Sequence, residues 1–133
     1  MAFNGDWKVC ENDNFEAVLI ALGVPEQHRT KMLEDKTEMN IKQVGGTFTI
    51  EERSCLRTKT SEWNVDEEFE SPLADGSQVK GTFGLSKPNC LNGHFKRLSD
   101  GKEFSIMREV SGDTLVQVMK IDGQEAKRIF KKK

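Results

Sequence analysis

A series of short turn signals cuts this chain into runs too brief for ordinary helices, and that rhythm constrains its fold more than any other feature. Val44-Gly45-Gly46-Thr47, Ala74-Asp75-Gly76-Ser77, Lys87-Pro88-Asn89, Ser99-Asp100-Gly101-Lys102, Ser111-Gly112-Asp113-Thr114 and Ile121-Asp122-Gly123-Gln124 place Gly, Pro, Asn or Asp where tight turns need them. Between them lie strand-like runs at 47–54, 56–65, 78–85, 91–98, 104–110, 115–121 and 125–131. Further runs near 6–11, 39–44 and 68–72 bring the total to about ten. Short sequential strands joined by hairpins predict an all-β up-and-down barrel or a sandwich. One stretch breaks the rhythm. Phe15, Val18, Leu19 and Leu22 share a helical face, so a helix is expected over 14–22, with Asp13 and Glu16 spaced as a capping box and Gly23 as its stop. Pro25 is placed to open a second short helix over 26–33, with Met32 and Leu33 as its apolar contacts.

The chain's 133 residues make one domain, 1–133, with no linker-like stretch. Twenty basic against 22 acidic residues give a net charge of −2, which argues against a nucleic-acid binder. Cys10, Cys55 and Cys90 form no CxxC pair, and the N-terminus has neither a basic nor an apolar leader region. Free thiols in a reducing compartment and a soluble, cytoplasmic monomer are therefore expected. His28 and His94 lack partners at metal-ligand spacing, and no Ser-His-Asp set, P-loop or GxGxxG is present, so neither a metal, a cofactor nor an enzyme activity is expected. Gly81-Thr82-Phe83-Gly84 reads as a strand segment whose glycines relieve crowding. The second helix region carries His28, Arg29, Lys31 and Lys36 against Glu26, Glu34 and Asp35. This reads as a solvated face, with transient contact to anionic membranes as the functional alternative.

Register follows from the turns. With Asp122-Gly123 as a two-residue hairpin turn, Ile121 pairs with Gln124, which puts Gln117 opposite Arg128 and Leu115 opposite Phe130. A four-residue loop at 111–114 pairs Val110 with Leu115 and puts Arg108 opposite Gln117. Arg108, Gln117 and Arg128 then form one row across three strands. Strand alternation sets that row among Phe104, Ile106, Met119, Ala126 and Phe130, whereas Glu103, Glu109, Lys120 and Lys127 fall on the other face. The row faces inward. Two buried guanidiniums with only a glutamine between them are costly in a dry core. A hydrated cavity admitting an amphipathic carboxylate resolves the conflict, since arginine matches a carboxylate in bidentate geometry and the apolar neighbours cover a hydrocarbon tail. The alternatives are that one arginine pairs with an inward Glu or Asp, or that a slipped register exposes both.

Several segments along the whole chain carry a family resemblance: Phe3-Asn4-Gly5-Asp6-Trp7-Lys8-Val9 at the start, Leu73-Ala74-Asp75-Gly76, Phe95-Lys96-Arg97 and Leu115-Val116-Gln117 within, and Glu125-Ala126-Lys127-Arg128-Ile129-Phe130-Lys131 at the end. The chain resembles the intracellular lipid-binding protein family, and within it the intestinal type of fatty-acid-binding protein. That resemblance implies a ten-stranded antiparallel up-and-down β-barrel, a β-clam, with a two-helix cap beside the ligand portal. It implies an intracellular carrier of long-chain fatty acids, with retinoids or bile acids as the bulkier alternative. The family's carboxylate-binding positions fall on Arg108 and Arg128, and Gln117 matches the intestinal type's polar partner. Phe130 stands where many relatives have a tyrosine, which favours Arg108 as the anchor.

Phe83, Phe104, Ile106 and Leu73 are expected to contact the ligand tail, as are Leu115, Met119, Phe130 and Trp63. Leu33, Leu56 and Ala74 are expected at the portal. The chain departs from the intestinal pattern at Phe83, where a tryptophan is usual, at Trp63, where a phenylalanine is usual, and at Ser71, which replaces an aromatic residue. An enzyme using Cys55 or Cys90 as nucleophile, or a closed interaction domain, would be the competing classes.

Overall fold

The computed structural model describes residues 3–34, 36–54, 58–72 and 78–133, with His28, Met32 and Pro72 described by backbone alone. Strand β1 (Gly5–Asp13) is followed by helices α1 (Phe15–Ala21) and α2 (Glu26–Glu34). Nine strands then follow: β2 (Glu38–Val44), β3 (Thr47–Arg53), β4 (Thr58–Asn64), β5 (Phe69–Pro72), β6 (Gln78–Lys87), β7 (Cys90–Arg97), β8 (Glu103–Ser111), β9 (Thr114–Ile121) and β10 (Gln124–Lys132). Their order is β4-β3-β2-β1-β10-β9-β8-β7-β6-β5, all pairings antiparallel, so every neighbouring pair is consecutive in the chain except β1 with β10. That pairing joins the two ends of the chain and rolls the sheet into a barrel, which decides between barrel and sandwich.

The backbone ladder stops between β4 and β5. Aromatic rings span the seam. Trp63 of β4 stacks on Phe69 of β5 with centroids 5.6 Å apart, and on Phe83 of β6 at 4.5 Å. Phe48 of β3 continues the stack at 4.7 Å from Trp63. Stacked rings add attraction beyond the apolar area they bury, so side chains help hold the barrel together where the strand ladder is absent. At the entrance to β1, Trp7 is wholly buried and its Nε1 donates to the Phe3 carbonyl at 3.0 Å, while Phe3 meets Phe48 edge-on at 5.7 Å.

Both helices form where the apolar spacing and Pro25 place them, but α1 begins differently from the expected capping box. Asn14, not Asp13, is its N-cap; it adopts a left-handed conformation and makes no side-chain cap bond. Its Nδ2 instead donates to the Glu125 carbonyl at 2.8 Å, so the residue fastens the helix start to β10. The other end is fully satisfied. Gly23, at φ 79°, donates to Ile20 O, and Val24 N donates to Leu19 O, the paired bonds of a Schellman motif. Lys102 Nζ donates to Ala21 O at 2.7 Å, and Arg97 Nη1 donates to Leu22 O. Two cations thus complement the negative end of the helix dipole. Asp100 fixes Arg97 through both carboxylate oxygens at 2.8 and 3.1 Å, and these bonds hold its pKa down at about 2.

Candidate functional site: a buried arginine row in an apolar cavity

The register is the one the turns demand. Ile121 pairs with Gln124 and Arg128 lies opposite Gln117, while Val110 pairs with Leu115 and Arg108 also lies opposite Gln117. Ser111 and Thr114 pair as well, so the turn is the two residues Gly112-Asp113 rather than four, without change of register. All three side chains are buried, and all three line a cavity of about 220 Å³.

The two arginines sit in different surroundings. Arg108 donates from Nε to Gln117 Oε1 at 3.0 Å, and its Nη2 pairs with Glu52 Oε1 at 3.4 Å. Its guanidinium stands 5.5 Å from the Phe83 ring centroid, and its Nη1 makes no hydrogen bond to a described residue. Burial lowers its pKa and the Glu52 charge opposes that shift. The expectation that the row offers only a glutamine is therefore incomplete. Of the alternatives, pairing with an inward carboxylate is what Arg108 adopts. A signal for it lay in β3, where Phe48 and Ile50 are buried and Glu52 is the next residue on the same face.

Arg128 is engaged by the cap. Its Nε donates to Asn12 Oδ1 at 2.8 Å and its Nη2 to Thr37 Oγ1 at 3.2 Å, while the guanidinium lies 4.3 Å from the Phe15 ring centroid and 5.4 Å from that of Phe130. Asn12 reaches it because the β1–β10 register shifts between Val9 and Glu11. That bulge reverses the face on which later β1 side chains lie, turning Asn12 inward. Arg128 thereby ties α1, β1 and the approach to β2 onto β10. None of Asn12, Thr37 and Phe15 is expected beside Arg128 from sequence: the bulge that turns Asn12 inward leaves no mark in strand alternation, and Thr37 and Phe15 arrive from the approach to β2 and from α1.

Trp63, Phe83, Phe104, Ile106, Met119 and Phe130 all line the cavity. Leu115 is wholly buried and is not among the lining residues. Leu33 is partly buried against the core cluster and also does not line the cavity. Leu73, Leu56 and Ala74 lie outside the described residues, as does Cys55. Ser71 is buried on the cavity wall. Cys90 is buried away from the cavity and Cys10 is exposed. Among the described residues no group of His, Cys, Asp and Glu is arranged to hold a metal, and no helix is long and apolar enough to cross a membrane. Arg29 does not belong to a freely solvated face: its Nη1 donates to Val24 O at 2.9 Å in the turn between the helices.

A wall of rings and aliphatic side chains into which the Arg108 fork is set suits a molecule that is apolar along its length and anionic at one end. No family model matches the chain. It is similar to the intestinal fatty acid-binding proteins of Rattus norvegicus and Homo sapiens, each 39% identical over 132 residues, with 99% of this chain and 99% of the relative covered. It is also similar to human cellular retinoic acid-binding protein 2, at 32% identity over 96% of each chain. Among solved structures, the Schistosoma mansoni fatty acid binding protein in complex with arachidonic acid superposes with a TM-score of 0.92, at 26% identity and coverage of 99% of this chain and 96% of that one.

Proposed function

The chain belongs to the fatty-acid-binding protein family, and we propose that it is a non-enzymatic, monomeric carrier that holds a long-chain fatty acid in its barrel and moves it through the cytoplasm between membranes and enzymes. One observation carries the reading: Arg108 is buried on the wall of an apolar cavity with its Nη1 amino group free of described partners. A carboxylate placed there gains charge-assisted hydrogen bonds, and Gln117 keeps the guanidinium oriented. The tail supplies most of the affinity, at about 0.8 kcal/mol for each buried CH₂. Arg128 takes the lesser part in binding, because Asn12, Thr37 and Phe15 already occupy it. A retinoid or bile acid is the less favoured ligand, since the chain is 39% identical to intestinal fatty acid-binding proteins and 32% identical to a retinoic acid-binding protein.

Calorimetric titration of the delipidated protein with oleate tests this. One equivalent bound with submicromolar affinity is expected, with retinoic acid binding more weakly. Absence of oleate binding, or a clear preference for the bulkier acid, overturns the reading.

A further inference from the structure

We propose that Glu52 is the resident counter-ion of the empty cavity, holding the place on Arg108 that a ligand carboxylate takes over, and that it thereby sets the balance between acidic and neutral lipids. The inference rests on the carrier reading and adds a determinant of ligand class to it.

Glu52 is an acidic residue at a position where β3 alternation otherwise points apolar side chains inward, and it lines the same cavity as Arg108. The two come from β3 and β8, 56 residues apart in the chain, and neither strand pairs with the other. Only the cavity brings them together. The Arg108 side chain is 7% exposed, so an empty barrel without an anion would hold an uncompensated charge. Glu52 supplies that anion.

The pair is built to be exchanged. Its single 3.4 Å contact is long against the ~2.7–2.9 Å of a strong charge-assisted bond. Glu52 offers one oxygen to one nitrogen, and Nη1 is left over. A ligand carboxylate approaching the guanidinium edge presents two oxygens to two nitrogens, a better match to the planar fork. The Glu52 side chain is 37% exposed, so on displacement it moves toward solvent instead of being stranded. Its cross-strand partner on β4, Lys59, lines the same cavity.

A fatty acid therefore exchanges one anion on Arg108 for another, and its head group contributes only the difference between two ion pairs. A fatty alcohol leaves the Arg108–Glu52 pair in place. Acid is preferred over alcohol by less than an unpaired arginine would give.

The test is the ratio of oleate to oleyl alcohol affinity for wild type, Glu52→Gln and Glu52→Asp, with thermal melts of each empty and oleate-loaded protein. Glu52→Gln is expected to raise that ratio by about tenfold, the difference between a charge-assisted and a weak ion pair. Its empty form should melt below wild type and gain more from oleate. Glu52→Asp, which withdraws the carboxylate by one methylene, should move the ratio in the same direction and keeps the test alive if the glutamine variant does not fold. An unchanged or lowered ratio in both variants overturns the proposal. If wild type binds oleate and loses it with Arg108→Ala while the Glu52 variants leave the ratio unmoved, this inference alone fails; if wild type binds no oleate, the carrier reading fails first.

Discussion

Arg108→Ala is expected to weaken oleate binding by about 30- to 1,000-fold, corresponding to about 2–4 kcal/mol for removing one partner of a buried charge pair. The loss arises because the carboxylate would keep its desolvation cost and lose the charged partner that Gln117 orients. Stability should move differently. The variant removes a guanidinium that is 7% exposed and leaves Glu52, which is already more than a third exposed, free to hydrate. The empty variant should therefore melt at or above the wild-type temperature. Calorimetry for binding and circular dichroism for melting check the two halves, and a variant that lost affinity only by unfolding would show a lowered melt. Arg128→Ala should show the opposite balance. It removes the bonds to Asn12 and Thr37 that hold the cap, so stability falls more than head-group affinity does.

The largest effect on stability is expected at Gly81. A Cβ there would overlap the His94 carbonyl oxygen and the Phe95 ring. The ring could turn, but the carbonyl belongs to the β7 backbone, which is paired with β6 at Thr82–His94 and Gly81–Phe95. Relieving the overlap means parting that ladder or shifting Phe95 out of its edge-on contact with Phe83, 5.0 Å away. Overpacking that backbone cannot absorb costs about 3 kcal/mol, at the upper end of the usual range, and should lower the melting temperature by about 10 °C. Gly46→Ala is the control, since a Cβ there meets nothing within 4 Å. Thermal unfolding of the two variants side by side decides the matter, and equal melting temperatures would contradict the packing described here.

The hairpins from β8 to β10 were legible because their turns carry strong local chemistry. Asp122 and Gly123 sit at φ 49° and 76°, the pair of positive values a two-residue turn needs, and from that point register follows by counting. Strand alternation then put Arg108, Gln117 and Arg128 on the inner face with their apolar neighbours. The contacts that distinguish the two arginines were not legible, for separate reasons. Glu52 meets Arg108 only across the closed barrel, and no local rule links residues on strands that never pair. Asn12 meets Arg128 only after a bulge has reversed the parity of β1. Asn14 gave up capping its own helix for a bond to Glu125 O, a tertiary use that outweighs the Asp13–Glu16 spacing. The seam between β4 and β5 is closed by Trp63 and Phe69, and their stacking depends on which two strands become edges. Local patterns set strands and turns, while closure decided which polar groups face each other.

A crystal structure of the oleate complex tests most directly whether Arg108 receives the ligand's carboxylate. The expected result places both carboxylate oxygens about 2.7–2.9 Å from the Arg108 guanidinium, with Gln117 still on Nε, Glu52 turned aside and the chain running along Phe83 and Trp63. A carboxylate seated on Arg128, with Arg108 still paired to Glu52, would contradict it.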